Sequence, residues 1–359
     1  MNTVKVWLFA LMMAFLPEYC EFDDEGKAHQ LMKCPLLSIP NLDIIRDVRD
    51  SMHLVHLGVC KRLLEFITAD SKSCRCKGSL TVSLREELGD GLGDLNGLLP
   101  TEFARQPRHM SYMKFFKATE FRSFLLYTGV VVLRHVLGTG QYEHFLALSV
   151  ACRLLSEADS QKRSKNVTLS KRLLISFVKL ARRYYGKKFL VYNVHNLIHI
   201  ADDVERFGLS LTELSAFPFE NYLQTLKGYV RGRRNPLSEI IRRREEFQSA
   251  HLTKPKHERQ FKVLPNGRDS VFEVDGGVVF VRRTAHMQQT FLCDFFPWRL
   301  MDNFYEKPVL SMSVGTYFLQ SGLSAKRIVL HQSLLNRKLV CVPYKDRGYV
   351  LTALLHDIN

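Results

Sequence analysis

The hydrophobic period of this sequence changes once, near residue 255, and that change predicts two kinds of architecture. Upstream, apolar side chains recur three and four residues apart, as on a helix packed against a core. Downstream they come in short β-type runs bounded by turn residues. In the upstream part, Met52 to Phe66 (MHLVHLGVCKRLLEF) predicts a helix with Asp50 or Ser51 as its N-cap. FRSFLLYTGVVVLRHVL and QYEHFLALSVACRLL, parted by Gly138-Thr139-Gly140, predict a helix–turn–helix hairpin. A third helix is expected from about Ser170 to Gly186, a fourth from Asn193 to Glu205 and a fifth from about Phe219 to Val230. Pro236 begins another that ends near Gln248. Residues 68–80 read as a polar loop, and residues 17–50, broken by Pro17, Pro35 and Pro40, as irregular connection. Gly89-Asp90-Gly91-Leu92-Gly93-Asp94 follows no apolar strand and precedes no Lys-Ser/Thr pair, so a surface turn is expected there rather than a phosphate-cradling loop.

Beyond residue 260, Val271–Val274 and Val278–Val281 flank Asp275-Gly276-Gly277, a β-hairpin signal. Further β-type runs follow at Thr316–Leu319, Arg327–Leu330, Leu339–Val342 and Tyr349–Leu355. The expected fold class is therefore mainly α with a smaller β-rich C-terminal domain. The expected divisions are 1–49, a helical domain over 50–255, a basic linker, and the β-rich domain over 260–359.

An apolar run of eleven residues, Val6 to Leu16, follows Lys5 and resembles the hydrophobic region of a signal peptide. It is too short to cross a bilayer, which takes about 20 residues, and Pro17-Glu18-Tyr19-Cys20 supplies no small-x-small cleavage site. A buried strand or helix is equally compatible with it. Neither a membrane nor secretion is expected. The eight cysteines are scattered, with Cys74 and Cys76 the one tight pair, which reads as reduced thiols in a nuclear or cytoplasmic protein.

Charge narrows the partners. Lys and Arg number 51 against 36 Asp and Glu, a formal net charge of +15. Residues 161–188 hold ten basic residues and no acid: Lys162, Arg163, Lys165, Lys171, Arg172, Lys179, Arg182, Arg183, Lys187 and Lys188. Residues 225–262 hold eleven, among them Lys227, Arg231, Arg233 and Arg234, against four glutamates. The rest of the chain is close to neutral. Arg242-Arg243-Arg244-Glu245-Glu246 alone would be an ordinary solvated helix face with pairs at i,i+3 and i,i+4. The acid-free stretch is not explained that way, and its chemistry suits a phosphate backbone.

Two patterns carry metal chemistry. His195 and His199 stand at i,i+4 on one helical face, a spacing that serves Zn²⁺ if two more ligands close the tetrahedron, and that also occurs in hydrogen-bonded histidine pairs. Glu220, between aromatic residues in Ala216-Phe217-Pro218-Phe219-Glu220-Asn221, is either a first-turn helix glutamate interacting with the helix dipole or a carboxylate for Mg²⁺.

Four phrases, in order, resemble one family. They are Asp50-Ser51-Met52-His53-Leu54-Val55-His56-Leu57-Gly58-Val59, the stretch from Pro107-Arg108 through Lys117-Ala118-Thr119-Glu120-Phe121-Arg122 to Tyr127, Asn193-Val194-His195-Asn196-Leu197-Ile198-His199, and Ser215-Ala216-Phe217-Pro218-Phe219-Glu220-Asn221-Tyr222 onward to Lys227. Together they are similar to the C-terminal half of transposases of the CACTA (En/Spm-like) group, over residues 34 to 250 and more weakly beyond. The resemblance implies an RNase H-like nuclease core with a helical insertion, in which three acids hold two Mg²⁺ or Mn²⁺ ions. It maps Glu220 onto the third acid, and His195 and His199 onto the histidines of a zinc site completed by an upstream C-x-x-C. It also implies where this chain departs. No Asp or Glu precedes Glu18, and if Cys20 is the second cysteine of the pair, Pro17 stands in the place of the first. Phe116 stands where a Trp is expected.

The expectation is thus a truncated, transposon-derived protein in which residues 1–49 are a remnant of the catalytic core. It would bind DNA through its basic surfaces, with two of three catalytic acids missing, an incomplete Zn site, and Mg or Mn relevant only to a complete centre. Its expected place is the nucleus, with homo-oligomerisation left open. The alternatives are an active transposase or nuclease subunit whose upstream acids come from elsewhere, and a helical protein-interaction module.

Overall fold

The computed structural model describes residues 49–69, 71–232, 235–251, 261–285 and 289–355. The first element is a nine-residue π-helix, Met52–Cys60, which runs directly into α1, Lys61–Thr68. After it come α2 (Val82–Gly93), α3 (Ala118–Ser123), a second π-helical stretch (Phe124–Thr128) and α4 (Gly129–Val136). Then follow α5 (Thr139–Leu155), α6 (Ser160–Tyr185), α7 (Tyr192–Phe207), α8 (Phe217–Tyr229) and α9 (Pro236–His251). π-Helical turns are rare and concentrate at functional sites, so two stretches in one domain single out their surroundings.

Helix α5 is the central pillar. Every residue from His144 to Leu155 is buried, so apolar side chains occupy all its faces. Two of its polar members find partners inside the core. His144 Nε2 lies 2.8 Å from the Phe177 carbonyl, its ring stacked on Phe177, and Ser149 Oγ donates to Leu125 O. Helix α6 begins ten residues before the expected start, because the Asp159 carboxylate caps it by accepting from Gln161 N and Lys162 N. Ser170, expected to be the cap, sits inside the helix and donates to the Asn166 carbonyl. The Gly89–Asp94 segment, expected to be a turn, lies largely within α2, capped by Thr81. Here the cap and the buried Leu88 and Leu92 outweigh the glycines' low helix propensity.

The C-terminal part is one eight-stranded sheet of β1 (Val271–Val274), β2 (Gly277–Thr284), β3 (Thr290–Pro297), β4 (Met301–Asn303), β5 (Thr316–Gln320), β6 (Lys326–His331), β7 (Arg337–Pro343) and β8 (Gly348–Ala353). Its order is β4-β5-β8-β7-β1-β2-β3-β6, with every paired strand antiparallel. The expected β1–β2 hairpin is present, turning through Asp275 and Gly276, whose φ of 87° suits glycine. The chain is therefore mainly helical with an antiparallel C-terminal sheet, and among the described residues no strand precedes Val271. The expected core remnant over residues 1–49, save Arg49, and with it the apolar run Val6–Leu16, lies outside the described residues.

The sheet shares a core with the helices. Phe304, Tyr305, Val340, Val342, Tyr344, Val350 and Leu354 pack into the same apolar cluster as α1, α4, α5 and α6. Two buried cations fasten the halves together. The Arg153 guanidinium of α5 donates to Leu126 O, Val314 O and Ala353 O. Lys338 of β7 reaches Glu102 at 2.8 Å and Asp269 at 2.6 Å, all three side chains essentially inaccessible. Helices ending by His251 and strands beginning at Val271 thus contribute to one apolar cluster.

Candidate functional site

The four phrases behind the resemblance lie far apart in sequence and meet in space. Met52, Ala118 and Ala216 form one small apolar cluster with Leu57 and Phe217 against it, which joins the first, second and fourth phrases. The third arrives through a glycine: a Cβ on Gly58 would stand 2.8 Å from His53 O and 2.9 Å from Asn193 Nδ2, so Gly58 lets the start of α7 rest on the π-helix. In the second phrase, Arg108 holds the buried Glu120 through Nε at 2.7 Å and Nη2 at 2.9 Å, and Glu120 in turn accepts from Lys117 N at the start of α3.

Asp50 organises the meeting point. Its side chain is fully buried. One carboxylate oxygen accepts Met52 N at 3.1 Å and Ala216 N at 2.6 Å; the other accepts His53 N at 3.0 Å and pairs with His53 Nδ1 at 2.5 Å. Ser51 stands at the N-cap position, but Asp50, the other expected candidate, supplies the capping carboxylate, and it also ties the π-helix to the residue before α8. The far side of the His53 ring faces Glu220, with Nε2 3.7 Å from Oε1. The hydrogen bond to Asp50, with the charges of Asp50 and Glu220 adding to it, outweighs partial burial and lifts the His53 imidazolium above its ordinary 6.5. A buried carboxylate, an imidazole and an exposed carboxylate in line can hold a proton at Nε2 and pass it to or from a group beside Glu220.

Glu220 lies in the first turn of α8, as expected, but its side chain is 56% exposed rather than held in a low-dielectric setting. Asp50 fits a metal poorly. A carboxylate offers about four acceptor positions, and four donors already occupy those of Asp50. His195 and His199 share one face of α7 as predicted, their ring centroids 5.6 Å apart. Partial burial, with Arg49 and His195 nearby, depresses the pKa of His199. Arg49 pairs with Asp203 of α7 at 2.6 Å and directly precedes Asp50, so it links the histidine pair to the Asp50 cap. Among the described residues no group of three or more His, Cys, Asp and Glu is placed to hold a metal ion, and Cys20 lies outside them.

The basic residues differ in what surrounds them. Lys162, Lys165, Arg172, Lys179, Arg182 and Arg183 are exposed along α6, and Lys187 and Lys188 are exposed just past its end. Of these, Lys165, Arg172, Lys179 and Arg183 recur at intervals of seven and four and line one face. Lys171 is partly neutralised by Asp202 at 2.6 Å. Arg163 is a correction to the expected surface: it is buried, and its guanidinium donates to the carbonyls of Glu157, Ala158 and Gly208. Lys227 and Arg231 are exposed at the end of α8 and just beyond it; Arg233 and Arg234 lie outside the described residues. Among the described residues no helix is long and apolar enough to cross a membrane.

His53 is the site residue that the sequence reading missed. Its signal was present: an Asp-x-x-His spacing at a helix start, where an N-cap carboxylate can meet an i,i+3 side chain. No family model, curated protein or solved structure matches the chain.

Proposed function

We propose that this chain is a DNA-binding protein of transposase ancestry, nuclear in location, in which the surroundings of the last catalytic glutamate persist without a complete two-metal centre. The observation that carries the reading is the convergence of the four family-like phrases. Separated by up to about 170 residues, they pack around one buried aspartate and place Glu220 beside His53. Independent folding pressures would not require the residues that carry the resemblance to be the residues that meet. The RNase H-like remnant belongs to this same reading.

Binding is assigned to the face of α6. From Lys165 to Arg183 the basic stripe runs about 27 Å at 1.5 Å per residue. That length matches about eight phosphates of one DNA strand. Such contacts are tolerant of sequence and weaken steeply with salt. The test is titration of duplex DNA at several salt concentrations with the wild type and with Lys165, Arg172, Lys179 and Arg183 changed to Ala. Absence of binding at low salt refutes the proposal.

A further inference from the structure

Beside the Asp50 cap lies a small cavity of about 10 Å³, room for one water-sized atom. Ser51, His56, Arg122, Ser215 and Phe217 are among its lining residues. Both π-helical stretches contribute to it, the first through His56 and the second through Leu126. Arg122, Thr212 and Phe217 are each partly exposed, so the cavity opens to solvent.

Its polar lining is unfinished. Arg122 sits over the Phe217 ring at 4.7 Å, and among the described residues nothing hydrogen-bonds or ion-pairs with its guanidinium. Neighbouring cations differ: Arg108 has Glu120, Arg49 has Asp203 and Arg153 has three carbonyls. His56 is 4% exposed, and among the described residues its Nδ1 has no partner. Ser215 Oγ accepts the Phe217 N–H, which leaves its own proton free to donate. Burial first, and the charge of Arg122 second, press the His56 pKa down to about 3, so the ring is neutral. Arg122, whose guanidinium carries five N–H donors, thus lines a space the size of one oxygen together with His56 and Ser215. An uncompensated buried charge is costly, and a bound anion removes that cost.

We propose that this cavity is a phosphoryl-oxygen site, in which Arg122 receives a tetrahedral phosphate whose one oxygen enters the cavity while the others face solvent. The proposal deepens the DNA-binding reading and rests on it for the source of the phosphate. A DNA backbone and free phosphate present the same chemistry, and the experiment separates them.

The probe is inorganic phosphate. Thermal denaturation of the full chain is followed in phosphate and in chloride at equal ionic strength. The melting temperature of the wild type is expected to rise with phosphate, and the rise to vanish in Arg122→Gln. An unresponsive wild type, or an equal rise in Arg122→Gln, overturns the proposal. Should Arg122→Gln fail to fold, Arg122→Lys carries the test: it keeps the charge and loses the planar fork, so phosphate affinity should fall about tenfold. An undiminished response overturns the proposal there too. In the DNA arm, a loss of about tenfold in duplex affinity for the variant assigns the phosphate to the backbone. Unchanged duplex affinity in the variant, with phosphate stabilising the wild type but not the variant, assigns it to free phosphate. A phosphate response without DNA binding sinks the proposed function alone; DNA binding without an Arg122-dependent phosphate response sinks this site alone.

Discussion

Replacing Asp50 by Ala removes one carboxylate and strands four donors. Three are backbone N–H groups, of Met52, His53 and Ala216, and the fourth is the His53 ring. At about 1–1.5 kcal/mol for each stranded backbone donor, the loss comes to about 3–5 kcal/mol. A domain of ordinary stability has about 5–15 kcal/mol, so the variant should fold weakly. Asp50→Asn keeps the shape and one acceptor oxygen but turns an NH₂ toward two of the donors, and its loss should fall between those of wild type and Asp50→Ala. Urea unfolding followed by circular dichroism gives both values. The pH dependence adds a second reading. Because the folded pKa of His53 is raised, its contribution is fully present below 6.5 and is lost as pH rises through the folded value. The stability gap between wild type and Asp50→Asn should therefore narrow as pH rises above 6.5, and the His53 ring resonance should titrate lower in the variant. A loss below about 1 kcal/mol for Asp50→Ala, within the range of a single exposed cap, would refute the reasoning.

Three further outcomes follow from buried charge and close packing. His56 and His144 are pressed down to about 3 and about 4, chiefly by burial, so protons bind the unfolded chain first. Their contribution is present above 6.5 and is lost as pH falls toward those values; His144→Phe should flatten that acid slope in unfolding experiments, and an unchanged slope would count against it. Lys338→Met leaves the Glu102 and Asp269 carboxylates buried without their cation and should cost about 3–5 kcal/mol in chemical denaturation; a neutral effect would contradict the buried triad. Gly58→Ala forces a Cβ into His53 O and Asn193 and should cost about 1–3 kcal/mol, with His53 and His199 resonances shifting together in NMR spectra; unshifted resonances would contradict the contact.

Much of the fold was legible because it follows from local rules. The helical stripes, the Asp50 cap, the Gly138-Thr139-Gly140 break between helices and the Asp275-Gly276 turn each depend on neighbours in sequence. What escaped depends on partners far along the chain. The Met52–Cys60 stretch has the apolar spacing of an α-helix, and its π-helical winding is set in a region where Asp50 also grips Ala216 and Asn193 presses on Gly58. Strand β3 carries Cys293 and Asp294 amid Phe residues and shows its type through pairing with β2 and β6. Arg163 reads as a surface charge, and only the tertiary fold supplies the carbonyls that bury it. Within the candidate site, Glu220 and the histidine pair were visible as motifs. The imidazole between two carboxylates was not, because Asp50 and Glu220 are 170 positions apart.

The central proposal, that the basic face of α6 holds DNA, is tested most directly by fluorescence anisotropy of a labelled duplex between about 50 and 200 mM salt. The wild type should show log affinity falling linearly with log salt. Alanine at Lys165, Arg172, Lys179 and Arg183 together should reduce that slope by about three to four and weaken binding to all sequences alike. No binding at 50 mM salt, or an unchanged slope in the fourfold variant, would contradict the account.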